Sequence, residues 1–303
     1  MSGDLPPDVD KCSDLPDDVS MMSCPSTPGT PESIPDMPPT PPRKRARRQA
    51  AKSSPRDSSS AGKFFTPRPV GHQLALLELF SGVGALSKAA RQHGWEVKKV
   101  DIVNGAEFDL TRTQLQESLL DMIRSRCFTW VHLGPPCTTF SSWYLASSHS
   151  NTRTKMNPAG LGSSPAEALG NQMAEFSVRA ARVCLQTGTW FSIEQPRTSW
   201  MWILPSVKDL IAEPQVHFCH LVMCAYGSPH QKRTSFLTNA KWLMQASCQC
   251  SCKQLHVRLQ GSVRDPETGA HTHRTQLAAA YPEALCHRLL SLAVLAARAD
   301  LPD

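Results

Sequence analysis

The sequence predicts an α/β fold, a parallel sheet with helices on both faces, and three observations predict it. Between residues 74 and 193, short apolar runs alternate with segments of helical period. The runs stop at glycine, proline or acidic residues, as strands do where they feed a loop. Residues 1–63 contain no Phe, Tyr or Trp, so the core must come from the chain beyond them. Repeated strand–helix alternation of this kind lays successive strands side by side and parallel.

The first element in order is a tail, residues 1–69, which holds 14 of the 25 prolines. Chain so poor in large apolar groups does not offset the entropy of ordering its backbone, and the expectation is disorder. Charge divides it further. Residues 1–42 carry a net −7, residues 43–69 a net +8 and the rest of the chain +5, so the overall +6 hides the pattern. The run Arg43-Lys44-Arg45-Ala46-Arg47-Arg48 fits a solvated linker or a signal read by a nuclear import receptor, which would place the protein in the nucleus. Thr40-Pro41 and Ser54-Pro55 flank it, where a phosphate would add about two negative charges beside the basic block.

The body begins at residue 70. Residues 74–80 form an apolar run ended by Ser81-Gly82-Val83-Gly84, and a helix with Leu86, Ala89 and Ala90 on one face follows, closing at Gly94. Residues 96–103 are expected as the second strand. Thr111 or Thr113 is the expected cap of a helix carrying Leu115, Leu119, Met122 and Ile123. A third strand over 129–133 stops at Gly134-Pro135-Pro136. Residues 167–186 are helical by period and stop at Gly188, and a fourth strand over 190–193 ends at Glu194. In such sheets ligands gather beyond the carboxyl ends of the strands. That rule brings residues 78–84, Asp101, 134–137 and 194–196 to one rim.

No apolar stretch at the N-terminus resembles a secretory signal, the 11 cysteines are odd in number, and the longest late apolar run, residues 289–297, is too short to span a bilayer. The expectation is a soluble, reduced, monomeric protein with no membrane partner. Its cysteines are then core fillers, metal ligands or nucleophiles.

Two rim segments carry chemistry. Gly82-Val83-Gly84 permits a tight turn and close approach of a ligand to the backbone, and Asp101, 17 residues past Gly84, offers a carboxylate to ribose hydroxyls. A purely structural turn is the alternative. In Gly134-Pro135-Pro136-Cys137, two prolines stiffen the backbone and end the strand, presenting Cys137 at the rim. A cysteine held in this way is a candidate nucleophile, with Glu194 beside it as a candidate acid.

Phe80-Ser81-Gly82-Val83-Gly84, Pro135-Pro136-Cys137, Glu194-Gln195-Pro196 and Gln231-Lys232-Arg233 occur in the order seen in DNA (cytosine-5) methyltransferases. Ala280-Tyr281-Pro282-Glu283-Ala284-Leu285 is similar to that family's closing motif. The resemblance runs from about residue 74 to residue 296. It implies a Rossmann-like class I methyltransferase sheet and S-adenosylmethionine as cofactor. Phe80, Ser81, Gly82, Gly84 and Pro135 would line the cofactor site, Asp101 would hold the ribose and Asp109 the adenine. Cys137 would add to C6 of a cytosine, Glu194 would bind N3 and stabilise the enamine, and Arg233 would hold the base or a phosphate. A cytosine in a duplex must be flipped out to reach them. The chain departs from the family pattern at Gln195 and Pro196, where Asn is usual after the glutamate, at Thr138, at Ser235 in place of the second arginine, and at His230, inserted before Gln231.

Size is the largest departure. Where family DNA enzymes have a long target-recognition region, only about residues 239–272 are available here, and this segment with its edge holds Cys248, Cys250, Cys252, His256, His271 and His273. Cys248, Cys252, His256 and His273 are the expected quartet of a structural zinc, with a plain cysteine-rich loop as the alternative. The domain plan is thus a tail (1–69), a catalytic domain (70–238), a small Cys/His-rich reduced recognition region (239–273) and a C-terminal helix packing back (274–303). Residues 122–166 lack acidic groups while carrying Arg124, Arg126, Arg153 and Lys155, which points to phosphate contact. The Ser/Thr/Asn/Gly-rich segment after Cys137 is expected as a mobile loop closing over substrate, with an ordinary surface loop as the alternative. The functional expectation is cytosine-5 methylation of DNA. The alternatives are the same chemistry on RNA, and a non-catalytic nucleic-acid binder with a decayed site.

Overall fold

The computed structural model describes residues 73–147, 151–253, 255–259, 261–264, 269 and 271–299. The expected tail, with its import signal and flanking Ser/Thr-Pro sites, lies outside the described residues.

The elements in chain order are β1 (Ala75–Leu79), α1 (Ala85–Gln92), β2 (Glu96–Val100), α2 (Thr113–Arg124), β3 (Trp130–Leu133), α3 (Ser142–Ser147), α4 (Pro165–Thr187) and β4 (Trp190–Pro196). Then come α5 (Pro205–Ile211), β5 (His217–Val222), β6 (Arg233–Thr238), β7 (Ser262–Arg264), β8 (His271–His273), α6 (Arg274–Leu277) and α7 (Glu283–Ala299). Six strands form one sheet in the order β2-β1-β3-β4-β6-β5. β1 to β4 run parallel, and β6 runs antiparallel to both β4 and β5. This is the Rossmann-like class I sheet that the motifs imply. β7 and β8 pair separately as a short antiparallel ribbon.

Side-chain alternation along the strands divides the core into two layers. Ala75, Leu77 and Leu79 of β1, Val131 and Leu133 of β3 and Phe191 and Ile193 of β4 pack against α2, α4 and α5. Leu76, Trp130 and Phe236 face the other way, against α1, α7 and the turn carrying Trp242 and Leu243. Helices therefore cover both faces, and strands buried on both sides read as continuous apolar runs.

Local chemistry sets the boundaries. α4 begins at Pro165 behind Ser164, whose hydroxyl accepts from the Glu167 amide, and ends at Gly188 in the left-handed conformation. α2 differs from expectation. Thr113 is its first residue, Arg112 precedes it without a side-chain cap, and Gln116 Nε2 instead donates to the Leu110 carbonyl at 2.7 Å. β2 stops three residues early, at Val100, because the Asp101 carboxylate caps a turn over Ile102–Asn104. β4 runs past Glu194 to Pro196 because β6 pairs with it on the far side, matching Gln195 to Ser235 and Pro196 to Thr234.

Among the described residues, no helix is long and apolar enough to cross a membrane. Among the described residues, no two cysteines are joined by a disulfide.

Candidate active site

The rim predicted from strand ends exists. Phe80 leaves β1 with φ +58°, and Gly82 and Gly84 follow at +50° and +71°. Left-handed backbone of this kind is easy only for glycine, and a side chain at Gly82 would be strained although the space beside it is open. The turn is tied to β2: the Gly82 amide donates to Asp101 Oδ2 at 2.8 Å, and the Val103 amide to Oδ1 at 3.0 Å. Asp101 thus braces the glycine turn while its carboxylate stays at the rim. Asp109 accepts from the amide and hydroxyl of Thr111, which hold its carboxyl below the usual range.

Glu78 lies buried beneath the turn and accepts from the Ser87 amide at 2.9 Å and from the Ser87 hydroxyl, so it supplies the cap that α1 lacks at its own N-terminus. Burial pushes its carboxyl up against these hydrogen bonds.

A nucleoside cofactor fits the surface beside this turn. Ser81 Oγ is buried with no hydrogen-bond partner, leaving a donor for a polar ligand group. Val83, Ile102 and Val103 are 78%, 60% and 71% exposed around it. Apolar side chains left open beside a polar backbone cradle suit a purine face next to a ribose. Ile102 and Val103 escaped sequence reasoning because they lay in an expected strand.

Cys137 follows Pro136 and precedes a turn over Thr138–Phe140, whose Phe140 amide returns to the Cys137 carbonyl at 3.0 Å. The thiol is half-buried. Burial and the Glu194 carboxylate push its pKa up, while Lys232 pulls it down, so both charges act on the sulfur. Glu194 is only 7% exposed. Lys232 Nζ lies 3.3 Å from Glu194 Oε1, which makes no aligned hydrogen bond and is left to accept another partner. Burial works against the Lys232 charge, but Glu194 and Cys137 outweigh it and hold the ammonium above the usual lysine range.

The basic residue facing the carboxylate is therefore Lys232. Arg233 begins β6 exposed, and lines a surface cleft of about 350 Å³ with Arg197, His220, Gln231 and residues 247–250. Neighbouring residues in an extended segment point opposite ways, so only one of the pair reaches Glu194.

Gln195 is fully buried and makes the departure from Asn intelligible. Its Nε2 donates to the Pro135 carbonyl at 2.5 Å, and its Oε1 accepts from Ser199 Oγ at 2.9 Å. The side chain clamps the strand end carrying Glu194 to the loop carrying Cys137. Tyr281, from the closing motif, reaches the same region from the other layer. Its hydroxyl lies 2.9 Å from His132 Nε2, while His132 Nδ1 lies 2.8 Å from Ser192 Oγ, which accepts from Trp130 Nε1.

The expected mobile loop is corrected at Arg153. Its side chain is buried and donates to the Pro158 carbonyl, Asn171 Oδ1, Thr139 Oγ1 and the Glu167 carbonyl. Its guanidinium also lies 3.9 Å over the Phe140 ring. With Glu167 equally buried 4.0 Å away, Arg153 is a strut under the Cys137 turn, unavailable to phosphate. Arg124 pairs with Asp121 on the surface.

The Cys/His-rich segment forms a different cluster from the one expected. Cys224, Cys250, Cys252 and His256 bring their ligand atoms within 4.8 Å of one another. Cys252 and His256 belong to the expected quartet, whereas Cys224, from the turn after β5, and Cys250 take the places expected of Cys248 and His273. Cys248 packs instead toward the layer of Trp242 and Leu285. His273 lies on β8, and its side chain is outside the described residues.

No family model matches the chain, and no curated protein matches it. Solved structures do. Entamoeba histolytica methyltransferase EhMeth aligns at 14% identity and TM-score 0.36, over 63% of this chain and 59% of that one. S. pombe Dnmt2 methyltransferase aligns at 11% identity and TM-score 0.35, over 62% and 58%. A mutant of Spodoptera frugiperda DNMT2 aligns at 16% identity and TM-score 0.31, over 55% and 49%. The chain spans less than two thirds of the length of each. Strand order and register, rather than these distant alignments, carry the fold assignment.

Proposed function

We propose that this protein is an S-adenosylmethionine-dependent cytosine-5 methyltransferase acting on nucleic acid, with DNA as the first substrate to test and RNA as the second. One observation carries the reading: a half-buried thiol on a stiff Pro-Pro turn shares its surroundings with a buried carboxylate and a half-buried ammonium, beside a glycine turn braced by Asp101.

Cytosine C5 is a poor nucleophile until addition at C6 breaks the aromatic ring. Cys137 forms the S–C6 bond, and the proton its thiol gives up is accounted for at N3. Glu194 would take that proton and present it to N3, leaving a neutral enamine. Lys232 favours the thiolate form of Cys137 and so eases its attack on C6. S-adenosylmethionine, when bound, supplies the electrophilic methyl group that C5 attacks. The C5 proton then leaves to solvent, the S–C6 bond breaks, and N3 returns its proton. Ser81, Gly82 and Asp101 would hold the cofactor's polar groups, and Ile102 its base. Residues 43–48 would deliver the protein to the nucleus, and neutralising them should leave a tagged protein outside it.

The test is transfer of a labelled methyl group to cytosine-containing DNA and RNA, with 5-methylcytosine identified by mass spectrometry. Cys137→Ala should abolish it, and Glu194→Gln should lower the rate about 10²–10⁴-fold. No transfer to either polymer, with cofactor bound, would overturn the proposal.

A further inference from the structure

We infer that Cys224, Cys250, Cys252 and His256 bind one structural zinc ion that pins the segment after residue 246 to the end of β5. The chemistry of the ligands points to zinc: three thiolates and an imidazole with no carboxylate form the closed, soft set of a structural site. Their spacing fits as well. Zinc–sulfur and zinc–nitrogen bonds of about 2.3 and 2.0–2.1 Å put tetrahedral ligand atoms about 3.5–3.8 Å apart. Cys250 Sγ and His256 Nε2 stand 3.5 Å apart, and all four ligand atoms fall within 4.8 Å, so small side-chain rotations complete the site.

The segment itself supplies a second, independent argument. Among the described residues from 247 to 264, none is buried, and Leu255, Val257 and Val263 stand exposed. A stretch with no apolar core has little to hold it in one place. Its described hydrogen bonds to the rest of the chain include the Cys248 amide to the His220 carbonyl at 3.3 Å and the Ser247 hydroxyl to the same carbonyl at 2.8 Å. They also include the Val257 amide to the Pro229 carbonyl at 2.9 Å, His230 Nδ1 with the Val257 carbonyl at 3.1 Å and the Arg274 amide to the Gly261 carbonyl at 3.0 Å. Cys224, by contrast, is buried on the sheet side. An ion joining it to Cys250, Cys252 and His256 replaces the missing core.

The ion also shapes the candidate site. Cys224 lies next to Met223, whose amide donates to the Lys232 carbonyl at 2.9 Å. Residues 247–250 line the cleft together with Arg197 and Arg233. Zinc therefore fixes that part of the cleft lining. This holds whether or not the neighbouring site transfers methyl groups, since metal content is read without an activity assay.

The test is elemental analysis of protein purified under reducing conditions without chelator, followed by exchange with Co²⁺. About one equivalent of zinc is expected, and the cobalt form should show thiolate charge-transfer bands and the visible bands of a tetrahedral ion. Cys248→Ser should keep the metal. The double variant Cys250→Ser/His256→Ala, both at accessible positions, should fall below about a tenth of an equivalent while keeping native near-ultraviolet dichroism. Folded wild-type protein below about a tenth of an equivalent would overturn the inference. So would a full equivalent in the double variant, or loss of metal in Cys248→Ser.

Discussion

Glu194 and Lys232 act in opposite senses on the protonation of Cys137, and their effects can be separated one residue at a time. Burial and Glu194 raise the Cys137 pKa, while Lys232 lowers it. Glu194→Gln should therefore shift the pH–rate profile of Cys137 alkylation to lower pH, and Lys232→Gln should shift it to higher pH. Iodoacetamide labelling mapped by mass spectrometry reads both, and equal shifts in one direction would contradict the assignment. Gln195 makes a second residue-scale prediction. Gln195→Ala leaves the Pro135 carbonyl and the Ser199 hydroxyl without their partner, and should cost about 1–3 kcal/mol in urea unfolding. The sequence names Cys137, Glu194 and Asp101 because each ends a strand. It cannot choose between Lys232 and Arg233, since the choice depends on which way β6 enters the sheet. Nor can it find Cys224, which lies 26 residues before Cys250 and meets it only through the fold.

At the scale of elements, the turn after Cys137 is held against α4 by close contact. A Cβ at Gly170 would stand 2.7 Å from Thr139 Oγ1 and 3.2 Å from Arg153 Nη2. Glycine inside a helix ordinarily costs about 0.5–1 kcal/mol relative to alanine, so Gly170→Ala would stabilise a free helix. Here the contact should outweigh that gain. Gly170→Ala is expected to lower both stability and the rate of Cys137 alkylation, read by urea unfolding and by labelling. Arg153→Met removes one partner of a buried pair and should destabilise by about 3–5 kcal/mol. It should leave the salt dependence of nucleic-acid binding unchanged, whereas a phosphate-contacting arginine would lower the slope. Sequence composition alone cannot make that distinction: an arginine in a Ser/Thr/Asn-rich stretch reads as surface until Phe140, Thr139 and Glu167 are seen around it.

Across the whole molecule, a buried chain Trp130–Ser192–His132–Tyr281 on the α1/α7 side of the sheet links its centre to the closing motif before α7. Burial pushes His132 down to about 3 from its ordinary 6.5. The unfolded chain takes up a proton below pH 6.5 that the folded state refuses. The stability this group contributes is thus full above pH 6.5 and is lost as pH falls toward 3, by a few kcal/mol. Chemical denaturation across pH 7 to 4 should show that slope, and His132→Gln should flatten it.

The central claim is that Cys137 adds covalently to cytosine C6 with S-adenosylmethionine as methyl donor. Incubation with cofactor and DNA or RNA containing 5-fluorocytosine tests it most directly, because fluorine at C5 cannot leave as a proton and the S–C6 bond then persists. A denaturant-stable adduct is expected, dependent on cofactor, mapped to Cys137 and absent from Cys137→Ala, with the trapped polymer naming the substrate. No adduct with either polymer despite cofactor binding, or an adduct on another cysteine, would contradict the account.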